Sequence, residues 1–437
     1  MVEFYDFFIY GYAAASVFPA VFFPKLPPTQ ALLFSYLAFG AGFPARLLGA
    51  FVFGHFGDRC GRKFAFLINI GIVGVTTCLT GLLPGYATLG LMAPILLVVL
   101  RIVQGVGLGG EFGGASALLA EYAANRRSRA FWISLANLGI PLGAIAASSA
   151  MLLLHESFAG SGWRVAMLLS AVIFLPALLA RYRFADTPMF EQLKQRDAVA
   201  DLPSFAVFKT HSAPILLIAL VLGFQQMDGY VSGTYVISFM KLAGIPLATI
   251  ATVLLIARIS DLFGVLVSGP GADLLHRKNT ARIAILITVA LAYPYARAIV
   301  ERQVVRVAVL QCLITLFGMG IMHGLAPVLA AESFPTKFRY SGAGIAYGMS
   351  TIVGGMIAPP LLTILIGSDV ARQWFYIPVV YGVYGVIALI ALAFLRETAE
   401  ADLHALDLPD LSGEVANASN ATLRSAGSAA MDSASSD

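Results

Sequence analysis

Charge is what this sequence has least of. Only 12% of its 437 residues are charged, against roughly 25% in an ordinary soluble domain. Phe64 to Leu100 holds no charged residue at all, which is far too long for a strand. Cysteines number three (Cys60, Cys78 and Cys312), an odd count in or beside apolar segments. Their spacing suggests neither a disulfide framework nor a zinc site. The six histidines are scattered, so no metal centre, no cofactor and no enzymatic activity is expected. The net charge of +4 is modest and its basic residues fall in short clusters, so no nucleic-acid partner is expected. No cleavable signal pattern is visible.

Apolar residues make up 59% of the chain, with 42 glycines and 11% aromatics, as in proteins that cross a lipid bilayer many times. A helix needs about 20 apolar residues to cross the hydrocarbon core. On that basis the sequence predicts twelve transmembrane helices, near 2–24, 31–54, 64–84, 88–118, 130–154, 163–182, 212–240, 245–269, 281–298, 305–331, 341–367 and 374–395. Pro84-Gly85 divides the long uncharged run. The ninth segment is the weakest, being short and carrying Pro294, and the first starts almost at Met1 with Glu3 and Asp6 inside it.

Lysine and arginine fix the expected orientation. One side collects 16 of them and the other seven, so the richer side, with both termini, is expected to be cytoplasmic in a cell inner membrane. Arg297, Arg302 and Arg306 break the rule locally. The chain divides into a six-helix bundle over 1–183, a polar cytoplasmic linker over 184–211, a second bundle over 212–396, and an Ala/Ser/Asp-rich tail over 397–437 expected to be disordered.

The halves repeat. Gly54-x-x-x-Asp58-x-x-x-Arg62-Lys63 returns as Gly269-x-x-x-Asp273-x-x-x-Arg277-Lys278, 215 residues on. Ala120-Glu121 followed by arginines returns as Ala331-Glu332 followed by Lys337 and Arg339, 211 residues on. A parallel repeat of six spans is the plan of the major facilitator fold.

These features resemble a major facilitator superfamily transporter, and more narrowly the metabolite:H+ symporter family. Gly54 to Lys63 is similar to the superfamily's loop between helices 2 and 3. Arg101-x-x-Gln104-Gly105-x-Gly107-x-x-Gly110-Glu111 resembles the family's fourth helix, Glu3 to Gly11 its first, and Ala331 to Arg339 its loop between helices 10 and 11. The resemblance spans roughly residues 1–396. Departures are plain. The family's usual cytoplasmic segment before helix 1 is missing, which implies a truncated or mis-started N-terminus. Leu47 follows Arg46 where proline is usual, and in the second loop copy His276 replaces glycine and Leu274 a basic residue, implying a weaker latch. The helix-5 pattern of drug antiporters is absent, since Gly139-Ile-Pro141-Leu-Gly143 does not fit it.

The loop motif reads as a gate. Its glycines let helices turn tightly, and Asp58 can accept hydrogen bonds at a neighbouring helix N-terminus, where the dipole favours an anion. Arg59, Arg62 and Lys63 can pair across the gap between halves, with Gly54, Gly61 and, in the second copy, Asp273 and Arg277 as the corresponding gating positions. The plainer reading is topology alone, which leaves the glycine spacing unused.

Gly105-x-Gly107-x-x-Gly110 spells a dinucleotide fingerprint, but that signal needs a strand before it and a helix start after it. Here Gly105, Gly109 and Gly113 repeat every fourth residue, the spacing of a helix-packing groove. The ionisable residues nearby are different, because a charge at membrane depth is costly and normally faces a polar cavity. They are Glu3, Asp6, Arg46, Arg101, Glu111, Asp228, Arg258 and Asp261. In this fold, the resemblance implies, helices 1, 4, 7 and 10 line the central cavity. Asp6, Arg101, Asp228 and His323 fall on that set, with Gln225, Gln226 and Tyr230 near Asp228. Structural pairing is the alternative for Glu111 and Arg101, core packing for His323, and mutual neutralisation for Arg258 and Asp261, three apart on one helix.

The expected function is a proton-coupled symporter that takes up a small organic acid by alternating access. Its partners are a small-molecule metabolite, protons and the bilayer. Arg101 and Arg258 would offer forked donors to a carboxylate, with Gln225, Gln226, Tyr230 and His323 completing the substrate site. Burial favours a protonated carboxyl group, so Glu3, Asp6, Glu111 and Asp228 are the candidates for proton coupling. A zwitterion such as proline or a betaine is the alternative substrate. A non-transporting membrane sensor would predict lost cavity charges or an added signalling domain, and neither is seen.

Overall fold

The computed structural model describes residues 2–60, 62–110, 116, 119, 123, 128–183 and 203–399. Among these the regular structure is helical, with no strand. Helices occupy the described parts of all twelve expected spans. Span 1 is Val2–Ser16, continued by Phe18–Phe22; the break falls just before Pro19, which has no N–H for the ladder. Span 2 is Pro28–Gly40 and Gly42–Cys60, span 3 Arg62–Leu82 and span 4 Met92–Gly107. Span 5 is Arg129–Ser134 and Gly139–Leu153, and span 6 Trp163–Leu168 and Ser170–Arg183. A short helix, Pro203–Thr210, occupies the described end of the polar connection.

Span 7 is Ser212–Tyr230, a π-helical turn at Val231–Tyr235, and Val236–Leu242. Span 8 is Leu247–Leu275 and span 9 Arg277–Val300, continuous through Pro294. Span 10 is Val304–Ile314, a π turn at Thr315–Ile321, and Met322–Glu332. Span 11 has the same plan, with its π turn at Thr351–Met356, and span 12 is Tyr376–Phe394. Among the described residues nine helices are long and apolar enough to cross a membrane, and Leu67–Leu82 and Met92–Gly107 are shorter apolar ones.

The glycine groove of span 4 is real. A Cβ on Gly105 would stand 2.2 Å from the Gly42 carbonyl oxygen, and one on Gly109 2.3 Å from the Ala50 nitrogen. Spans 2 and 4 therefore meet backbone to backbone, which any side chain there would prevent.

Two sets of contacts join the first six spans to the last six. On the face opposite the chain ends, Tyr36 Oη and Ser238 Oγ are 2.7 Å apart, Ser238 donates to the Ala15 carbonyl, and Lys241 donates to that of Ser16. On the face carrying the chain ends, Arg129 Nε donates to Glu332 at 2.7 Å, and the Ala130 and Phe131 N–H groups donate to the two oxygens of Asp273. Arg277 grips Glu332 with Nε and Nη2, both at 3.1 Å. The start of the tail joins this network. Glu397 accepts from the backbone N–H groups of Arg277 and Lys278 at the beginning of span 9, and Thr398 Oγ1 donates to Glu332.

Candidate functional site

A small cavity lies between the two halves, lined by side chains of both. Its polar wall is Glu3, Arg46, Gln226, Tyr230, His323 and Tyr347, and its apolar wall includes Phe7, Phe8 and Met319. Spans 1, 2, 7, 10 and 11 supply these groups. Arg46 is the cation of the wall. Its guanidinium rests over the Tyr347 ring, 5.0 Å from the centroid, and among the described residues no ion pair holds it. Phe7, Phe39 and Phe43 of the first half pack edge-on around Tyr230 of the second, with centroids 5.0–5.8 Å apart.

Of the expected substrate residues, Gln226, Tyr230 and His323 line this cavity. Arg101 does not. It is boxed by Phe7, Tyr10 and Phe39, with its guanidinium carbon 4.5–5.0 Å from the three ring centroids. Its Nε donates to the Phe39 carbonyl and Nη1 to Gln104, which in turn donates to Thr77. Arg258 sits just behind the wall, over the Phe8 ring and donating Nη1 to the Met319 sulfur at 3.0 Å. Among the described residues its Nε and Nη2 have no hydrogen-bond partner. Arg258 and Asp261 do not pair; Asp261 instead meets His323 Nδ1 at 3.1 Å. Gln225 is buried beside the cavity with Oε1 unsatisfied.

Glu3 lines the cavity. Asp6 and Asp228 are wholly buried and lie outside its lining. Asp228 accepts from Tyr381 Oη at 2.6 Å. Glu111 and Gly61 lie outside the described residues, as do the side chains of Asp58, Arg59, Arg62 and Lys63; the Gly54–Cys60 backbone forms the end of span 2. In the second copy of the motif, Asp273 and Arg277 stand together in the network around Glu332. Asp273 does there what the motif predicts of its acid, accepting from the first N–H groups of span 5.

The chain's place among known proteins follows. A profile of the Major Facilitator Superfamily matches residues 7–359. The chain belongs to that superfamily. It is 37% identical over 373 residues to the inner membrane metabolite transport protein YhjE of Escherichia coli K12, an alignment covering 82% of this chain and 83% of the relative. The E. coli shikimate transporter is 31% identical, with 87% and 88% covered. The proline/betaine transporter of Salmonella typhimurium is 30% identical, with 87% and 78% covered. In fold the chain is similar to the proton:xylose symporter XylE, with a TM-score of 0.69 at 16% identity over 93% of this chain and 98% of that one. The protein is thus a multi-pass membrane protein of a transporter superfamily.

Arg46 and Tyr347 are the polar wall residues that sequence reasoning did not assign to the site. A charge at membrane depth in span 2 was the available signal, but which face of that helix meets the cavity depends on its packing. The Gly49 and Gly109 backbone contact sets that rotation.

Proposed function

We propose that this protein is a proton-coupled symporter that takes up a small organic acid, with its chain ends on the cytoplasmic side. The observation that carries the substrate reading is Arg46, a cation on the cavity wall with no carboxylate within ion-pair distance among the described residues. A charge in that position asks for an anion, and a guanidinium offers a carboxylate two parallel donors. Gln226, Tyr230 and His323 supply further polar groups around it. Arg258, with two unsatisfied nitrogens behind Phe8 and Met319, is placed to take a second anionic group if those side chains swing aside. The rings of Phe7, Tyr10 and Phe39 around Arg101 favour a role for it in holding the aromatic wall over one in binding the substrate.

Proton coupling is supported by the acids that the sequence sets in apolar segments, Glu3, Asp6, Glu111 and Asp228, and by likeness of fold to a proton symporter. The contact sets on the two faces suit gates that open in turn, with Asp273, Arg277 and Glu332 on the cytoplasmic side and Tyr36 with Ser238 on the other. The two six-helix halves, over 1–183 and 212–396, would rock about the cavity. A zwitterionic substrate is the second reading. It is favoured by the rings of Phe7, Phe8, Tyr230 and Tyr347 around the cavity, since aromatic faces attract quaternary ammonium groups. Uptake of labelled organic acids, proline and betaine by expressing cells, with and without a protonophore, separates the readings. An acid taken up only in the absence of protonophore supports the first; betaine uptake without acid uptake replaces it.

A further inference from the structure

Asp6 and Asp228 each stand in the first span of their half, 222 residues apart against the 211 and 215 of the other repeated landmarks. Each stands five residues before a glycine in the first span of its half, Asp6 before Gly11 and Asp228 before Gly233. Their surroundings repeat as well. Ser170 of span 6 and Thr77 of span 3 sit beside Asp6. Their counterparts, 211 residues further on, are Tyr381 of span 12 and Thr288 of span 9. Tyr381 donates to Asp228, and the slot at Gly318 that receives Asp228 Oδ2 is closed on its other side by the Thr288 methyl. The two threonines are held alike, Thr77 Oγ1 donating to the Val73 carbonyl and Thr288 Oγ1 to that of Ala284.

Both acids are incompletely satisfied. Among the described residues no group meets hydrogen-bond geometry with either oxygen of Asp6, though the Ser170 and Thr77 hydroxyls stand beside it, and Asp228 Oδ2 has no partner. No ion pair neutralises either one among the described residues. The ionisable groups around Asp6 are Glu3, Arg101, Tyr5 and Cys78. Around Asp228 they are Arg258, Asp261, Tyr381 and Tyr295. An anionic oxygen without a donor in an apolar interior is expensive, and a proton removes that cost.

We infer that each half carries its own proton-accepting acid, Asp6 in the first and Asp228 in the second, so that the chain binds two protons at separate buried sites with matching surroundings, apart from the substrate cavity. A role for both in transport rests on the proton-coupled reading above. Each step is one O–H bond made on a carboxylate oxygen with a proton from water, and later broken to return it. Ser170, Tyr381 and the two threonines are positioning residues.

The test is pH-difference infrared spectroscopy of the purified full chain, with protons as the only probe. Asp6→Asn and Asp228→Asn should each remove a different carboxylic-acid carbonyl band, and the double variant both. In wild-type protein carrying carboxyl-labelled aspartate, at least two such bands should shift, a result that does not depend on any variant folding. Fewer than two shifted bands overturns the inference. So does an Asp228→Asn spectrum equal to wild type, or one band lost to both single variants. Uptake by wild-type protein that ignores a protonophore strikes the coupling reading instead and leaves the band count standing.

Discussion

Glu332 of the second half and Arg129 of the first meet at 2.7 Å, with the carboxylate wholly buried. The same carboxylate is held by Arg277 and Thr398. Breaking a buried pair by removing one partner costs about 3–5 kcal/mol, because the other charge is left uncompensated. Glu332→Gln should therefore lower the thermal midpoint of the purified protein. It should also speed thiol labelling of a cysteine placed at Gly229 on the cavity wall from the face carrying the chain ends. Unchanged labelling with a lowered midpoint would confine this network to stability.

His276 is a second point of leverage. It joins spans 8 and 9 at φ 68°, ψ 158°, a region that glycine alone enters freely and that costs other residues about 1–3 kcal/mol. Glycine is what the family pattern puts there. His276→Gly should raise the thermal midpoint, while His276→Ala should not. A fall in midpoint for the glycine variant would mean that the histidine ring contributes more than its backbone costs.

Gly318 admits Asp228. A Cβ at that position would lie 2.3 Å from Asp228 Oδ2 and 2.8 Å from the Thr288 methyl. Gly318→Ala should cut uptake severely while membrane insertion stays near wild type. Normal uptake by this variant would show that Asp228 is free to move without consequence.

Much of the fold is legible in the sequence, and the features that are not legible there share a cause. Span positions follow from the bilayer's demand for apolar length, so helices occupy the described parts of all twelve, including the one carrying Pro294. The motif gives the helix-start acceptor role to Asp58, and its second copy, expected to be a weaker latch, has Asp273 accepting from the N–H groups of Ala130 and Phe131. Side-chain direction was harder. Arg101 and Arg46 are both charges in apolar helices, and nothing in their own segments says that one faces a box of three rings and the other the cavity. Arg258 and Asp261 have the spacing of a pair, yet a histidine from span 10 takes the acid. The match of Ser170 and Thr77 to Tyr381 and Thr288 needed contacts to be noticed, since serine and tyrosine share only a hydroxyl.

The two arginines should separate in experiment. Arg46→Lys keeps the charge but loses the planar fork, and losing one charge-assisted hydrogen bond costs about 1.5–3 kcal/mol, roughly ten- to a hundredfold in affinity. Its apparent KM for the transported acid should rise by that much at near-normal expression. Arg101→Lys gives up contacts to three rings and should lower the thermal midpoint while the KM changes little. The opposite assignment of effects would return Arg101 to the substrate.

Proteoliposomes holding only the purified protein give the most direct reading of the central claim. With an imposed inward proton gradient and no other energy source, the labelled acid selected by the uptake panel should accumulate inside above its external concentration. A protonophore should bring it back to equality. Accumulation that stops at equal concentrations with the gradient in place would contradict proton-coupled uptake.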